Sequence, residues 1–145
     1  SAASDVYKRQ GYVADINCHV IIGKTPEAAK AHIDALLEFQ HYIEERVKPG
    51  TNMKELGEEA KAWYQNKYPN SLAFSIGHSM GMECEDVHIL GTLGNIDGPF
   101  EENMVFEIEA WEEFGGALIG VEDTYVVTGD GCKKVTTIPK QIIEK

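Results

Sequence analysis

Basic residues are scarce in this chain. Thirteen Lys and Arg stand against 24 Asp and Glu in 145 residues, a formal charge of −11. A phosphate backbone demands the opposite balance, so no nucleic-acid partner is expected. Long apolar runs are also missing. None approaches the roughly 20 residues that cross a bilayer, and no signal-peptide pattern opens the chain, so no membrane partner is expected either. Cysteine is sparse: Cys18, Cys84 and Cys132 are odd in number and have no CxxC spacing, which excludes a self-contained disulfide framework. A reducing cytoplasm is the expected location, with the thiols packed as small buried hydrophobes. What is present in quantity is apolar residue, 43% of the chain, enough for one domain with a sizeable core.

The first ten residues differ from the rest. Ser1-Ala2-Ala3-Ser4-Asp5-Val6-Tyr7-Lys8-Arg9-Gln10 resembles the in-frame translation of a transposase-type sequencing-library adapter. Residues 1–10 are therefore expected to be non-native, with 11–145 as the native portion. Ordinary coding sequence upstream of Gly11 refutes that expectation.

From Gly11 the chain reads as a strand through Val20 and on to a turn at Gly23-Lys24. Thr25-Pro26-Glu27 predicts a helix start with Thr25 as N-cap and Pro26 at the first helical position. Ile33, Leu36, Leu37, Gln40, Ile43 and Val47 recur at helical spacing until Pro49-Gly50. A second helix starts at a cap on Thr51 or Asn52, with Met53, Leu56, Ala60, Trp63 and Tyr64 on its inner side. Strand patterning then takes over at 72–76, 86–90, 104–109 and 118–127. Gly129-Asp130-Gly131 predicts a hairpin turn into 132–137, and Pro139 to Ile143 a short terminal helix. Helices on one face of a mostly antiparallel sheet make an α+β fold.

Chemistry concentrates at Gly77-His78-Ser79-Met80-Gly81. Asp15, Glu109 and Glu122 lie in strand contexts that can bring carboxylates to the His78 imidazole. One nitrogen and several oxygen donors suit divalent Mn, Co, Fe or Zn. Each residue also has an ordinary reading: exposed strand carboxylates, and a hydrogen-bonded core histidine. Glu107 reads as a solvated carboxylate, and Glu101-Glu102 and Glu112-Glu113 as solvated loop charge.

In order and spacing, Gly11-Tyr12-Val13-Ala14-Asp15-Ile16, Lys48-Pro49-Gly50, Gly77-His78-Ser79-Met80-Gly81, Asn103 to Glu109, and Val121-Glu122-Asp123-Thr124 followed by Val127 to Gly131 resemble the pita-bread metallopeptidases. These are the methionine aminopeptidase, aminopeptidase P, prolidase and creatinase group. The resemblance runs from Gly11 to about Ile143. It implies a curved sheet with helices on its outer face, here the C-terminal part of a catalytic domain truncated at its N-terminus. It also implies two divalent metal ions, a peptide or small-molecule substrate, and a homodimeric parent protein. Asp15 and Glu122 match bridging carboxylates, His78 the imidazole ligand, and Glu109 a ligand that also carries protons as the catalytic acid–base. The position of a fifth ligand, eleven residues before Asp15, holds Ser4.

Some positions depart from the family pattern. A second histidine usually follows the first by seven residues, where this chain has Glu85; His88, three further on, is a weak substitute, with strand-edge placement the plainer reading. Glu109 is followed by Ala110 instead of proline, and Gly120 stands where an arginine is common. Three functions stay open: an aminopeptidase P or Xaa-Pro peptidase, a creatinase-like or lyase-like enzyme acting on a small molecule, and a noncatalytic protein-binding module.

Overall fold

Two helices and a five-stranded sheet carry the core of the computed structural model, which describes residues 2–4, 7–71, 77–90, 96–140 and 142–145, with backbone only for 2–9 and 84–90. In chain order the elements are β1 (Ala2–Ser4), β2 (Tyr7–Arg9), β3 (Tyr12–Ala14), β4 (Asn17–Ile21), α1 (Glu27–Glu44), α2 (Met53–Lys67), β5 (Gly77–Met80), β6 (Cys84–Leu90), β7 (Val105–Phe114), β8 (Ala117–Val127), β9 (Cys132–Lys134) and β10 (Ile143–Glu144). The large sheet has the order β6-β5-β7-β8-β9, all antiparallel. A smaller sheet runs β1-β4-β10, where β10 joins β4 in parallel, and β2 pairs with β3. The expected strand from Gly11 to Val20 is thus two strands, interrupted at Asp15-Ile16.

Residues 1–10 form paired backbone where they are described: Ser4 lies opposite Asn17 and Arg9 opposite Tyr12. Ladder bonds join main-chain groups whatever the side chains, so this pairing is compatible with a native or a non-native origin. The strand expected at 72–76 lies outside the described residues.

Helix α1 buries Ile33, Leu36, Phe39, Gln40 and Ile43 along one stripe, the period that its sequence predicts. Gln40 is the polar member of that stripe, and its Nε2 donates to the Ile108 carbonyl at 3.1 Å, which pins α1 to β7. Helix α2 begins at Asn52, whose side chain accepts from the Glu55 amide at 3.1 Å. The start of α1 differs from expectation. Pro26 is the N-cap and makes no side-chain cap, since its ring carries no acceptor; Thr25, one residue earlier, gives its amide to Glu144 at 2.8 Å. That contact belongs to a second correction: of the expected terminal helix at 139–143, the described residues 139–140 and 142 are irregular chain and Ile143 lies in β10 beside β4. Helix α1 packs on β7 and β8, and α2 against α1 and β6, around a core that includes Phe106, Ile108, Ala110, Val121, Tyr125 and Val127. The alternating residues Glu107, Glu109, Glu122 and Thr124 therefore face the other side.

Strand β7 runs five residues past the expected end at Glu109. It turns at Gly115-Gly116, both at positive φ (60° and 80°), the backbone that a tight hairpin requires and glycine supplies. Glu112 is accordingly not solvated loop charge. It is 2% exposed, beneath the helices, with His32 Nδ1 at 2.5 Å and the Tyr64 hydroxyl donating at 3.3 Å. One carboxylate thus ties α1 and α2 to β7. Glu112→Ala removes the acceptor from a buried hydroxyl and should destabilise the chain by about 2 kcal/mol in urea unfolding, with metal affinity unchanged. Glu113, Glu101 and Glu102 are exposed, as expected. Cys18 and Cys132 are free thiols, half-buried instead of fully packed, and the Cys132 thiol is pushed up to about 11 by burial and the nearby Glu44. Among the described residues no helix is long and apolar enough to cross a membrane.

Candidate metal centre

Strand pairing assembles the site from three directions. In the β7–β8 ladder Glu109 lies opposite Glu122 and Glu107 opposite Thr124, so four polar side chains share the face away from the helices. Strand β5 adds along β7, with Ser79 opposite Phe106, and places His78 at the end of that row. The segment before β4 arrives from the other side. The Val13 amide donates to the Gly81 carbonyl at 2.7 Å, and Thr124 Oγ1 lies 3.3 Å from the Asp15 carbonyl. Three segments remote in sequence therefore meet at one point.

There the ligand-type atoms of Asp15, His78 and Glu122 lie within 4.8 Å of one another, all three residues buried. Glu109 completes the row: its Oε2 is 3.8 Å and Glu122 Oε1 is 3.5 Å from His78 Nε2. Expected residues Asp15, His78, Glu109 and Glu122 thus converge. Ser4, at the fifth position, lies in β1 opposite Asn17. Glu85 lies in β6, and His88 pairs with His78 across the β5–β6 ladder; the side chains of all three are outside the described residues.

The donor set fits a divalent cation. His78 Nδ1 donates to the Ser79 carbonyl at 3.1 Å, which orients the ring and leaves Nε2 toward the carboxylates, the arrangement that suits a ligating imidazole. His78 Nε2 and Glu122 Oε2 are both buried and make no hydrogen bond. Ligand bonds of about 2.1 Å span at most about 4.2 Å between donors, so a small contraction closes three atoms onto one ion.

Without a cation, protons take its place. Burial opposes charge on His78, but the Glu122 carboxylate 3.5 Å from Nε2, the Ser79 carbonyl and the Glu109 and Glu107 charges outweigh it and raise the imidazole to about 9. Burial also pushes Glu122 upward, against the pull of His78. Glu107 goes furthest from its expected solvated role. It is fully buried and raised to about 9 by burial, with the Glu122 charge adding and the Thr124 bond opposing. Its Oε1 meets Thr124 Oγ1. Residue 107 alternates with the helix-facing Phe106 and Ile108, but nothing local shows that its own face is covered.

Residues 4–129 match the model of metallopeptidase family M24. The chain belongs to that family. It is 30% identical over 139 residues to a Xaa-Pro dipeptidase of Pyrococcus horikoshii, covering 92% of this chain and 38% of the relative. Among solved structures, an X-Pro aminopeptidase from Thermotoga maritima superposes with a TM-score of 0.85 at 30% identity, covering 98% of this chain and 40% of that one. A prolidase from Pyrococcus furiosus gives 0.80 at 26% identity, covering 95% and 41%. The M24 chain thus has the pita-bread fold and spans about two fifths of the length of these relatives. It belongs to a metal-dependent family of hydrolases, and its buried Asp15, His78 and Glu122 form a group able to hold an ion.

Proposed function

We propose that the chain is the metal-binding part of a dinuclear-metal hydrolase of the aminopeptidase P or Xaa-Pro peptidase type. The single observation carrying this reading is the meeting of one orphaned imidazole nitrogen with the carboxylates of Asp15, Glu109 and Glu122 on one buried face. The names of the similar proteins support the substrate class. Asp15 and Glu122 are proposed as bridging carboxylates, His78 as the nitrogen ligand and Glu109 as ligand and acid–base. Divalent cations bound there supply Lewis acidity, acidifying a water and polarising a carbonyl. Glu109 is the least buried of the four candidate donors, its side chain 12% exposed against 0% for His78 and 2% for Glu122. In the proposed reading it takes a proton from the water side and returns it to a leaving amine.

A second reading, a non-peptidase acting on a small molecule, is favoured by one feature of the wall: where the family commonly has an arginine, Gly120 lies under the indole of Trp111. The longer parent protein, assayed with Mn or Co against Xaa-Pro dipeptides, separates the two. Metal-dependent cleavage that chelator abolishes is the expected result; intact metal content with no cleavage of any peptide transfers the assignment to the second reading. With Ser4 at the fifth ligand position, the 145-residue chain should bind Mn weakly in calorimetry and not turn over. Stoichiometric binding of two ions by this chain contradicts the ligand count.

A further inference from the structure

Trp111 and Gly120 are partners across the β7–β8 ladder. They stand two residues from Glu109 and Glu122 respectively, on the same face of the sheet. The backbone at Gly120 does not call for glycine, since it is not among the positive-φ residues. Space does. A Cβ built there would fall inside the indole, against Cδ2, Cε3 and Cζ3 of Trp111. The ring therefore lies against β8 in a recess that only glycine leaves open.

From that position the indole reaches into the site. Its Nε1 donates to Glu109 Oε1, while the other carboxylate oxygen, Oε2, is the one directed to His78 Nε2. Glu109 has three rotatable side-chain bonds and borders the open side of the face, so it is the donor with most freedom to lose. The indole is planar and held by contact with β8. It divides the two oxygens between two tasks, one anchored and one offered to the site.

We propose that Trp111 is a positioning residue for Glu109, with Gly120 as its matching recess, an inference that rests on reading the site as a metal centre. Anchoring a ligating carboxylate through a hydrogen bond from behind is worth about 10- to 100-fold in metal affinity. Because Gly120 acts only through Trp111, replacing either residue should produce the same loss, and replacing both should not add to it.

The chain contains two tryptophans, and Trp63→Phe leaves Trp111 as the sole indole emitter. In that background Mn titration should change the Trp111 fluorescence. Trp111→Phe and Gly120→Ala should each weaken Mn binding about 10- to 100-fold, read from the electron paramagnetic resonance signal of free Mn in titrations run to excess metal, and the double variant should bind no more weakly than either. A merely structural role predicts a lower Tm with unchanged affinity in both variants, and that result overturns the proposal. Should Trp111→Phe fail to fold, the indole N–H resonance of the metal-free chain decides. A shift on Glu109→Gln and on Gly120→Ala supports the anchoring bond, and an unmoved resonance overturns it. Failure of the parent reading looks different: the unsubstituted chain then binds no Mn, and the positioning role falls with it.

Discussion

Raising the pH from 7 to 9 in chelator should lower the Tm of the metal-free chain by on the order of 10 °C, and saturating Mn should flatten the decline. Folded Glu107 keeps its proton to about 9, chiefly through burial, whereas glutamate ordinarily ionises near 4.5. His78 likewise holds a proton to about 9 against an ordinary 6.5, its carboxylate and carbonyl partners overcoming burial. Between 7 and 9 the folded state therefore binds protons that the unfolded chain has released. Stability falls with pH wherever the native state is the more protonated one. Two groups over two pH units set an upper bound of about 5 kcal/mol, and because they share neighbours roughly 3 kcal/mol is expected, about 10 °C for a chain of this size.

Glu122, also raised by burial, adds to the decline in the same direction, whereas two other shifted groups contribute little. His19 is held below 6.5, first by burial, so most of its contribution lies below pH 7 and the small remainder has the opposite sign. Cys132 is pushed up from 9 to about 11, first by burial, so its own loss of stability only begins at the upper edge of the window. Mn changes the slope because it replaces the protons: binding should tighten with pH as protons are expelled, so the Tm gain from metal is largest at pH 9. Differential scanning fluorimetry at pH 7, 8 and 9, with chelator and with Mn, checks both halves. A Tm independent of pH without metal shows that the buried face is not protonated as described. Glu107→Gln should remove part of the slope, since an amide has no proton to lose in this range.

How much of this was legible beforehand follows from what each residue interacts with. The four converging donors could be read because each stands in a local pattern that survives in one dimension: glycines around His78, alternation through 104–109, a strand run around Glu122. Glu107 and Glu112 were misread because alternation tells which face a side chain takes but not whether that face meets solvent. Glu112 is covered by Tyr64 and His32, residues 48 and 80 positions away, and no window on the chain contains all three. The terminal segment failed for a similar reason. Ile143–Glu144 forms a strand because β4 presents a free edge to it, a long-range fact that outweighs local preference. The hairpin at Gly115-Gly116 did carry a local signal, a glycine pair between two β-rich runs; with Glu112-Glu113 read as loop charge, β7 was ended too early. Trp111 and Gly120 each look ordinary alone, and only the register that sets them face to face explains both.

Lys140→Met should cost about 3 kcal/mol and lower the Tm by roughly 10 °C, although the residue lies in irregular chain near the C-terminus. Its ammonium is nearly buried, 3.2 Å from Asp123 Oδ1, and Asp123 itself is fully buried. The same nitrogen donates to the Asn17 carbonyl at 3.0 Å and to the Glu122 carbonyl, joining β4, β8 and the tail behind the candidate metal centre. Removing one partner of a buried pair leaves an uncompensated charge, which can cost 3–5 kcal/mol. The lower end applies here, since Thr136 still donates to Asp123 at 2.6 Å and Lys134 stays 3.6 Å away. Pairing Lys140→Met with Asp123→Asn should recover part of the loss, because the stranded carboxylate goes with it. Chemical denaturation of both variants measures the two steps. Because Lys140 touches the backbone of Glu122 and not its carboxylate, Mn affinity per folded molecule should change far less than stability. Equal losses in both would instead make the tail part of the site itself.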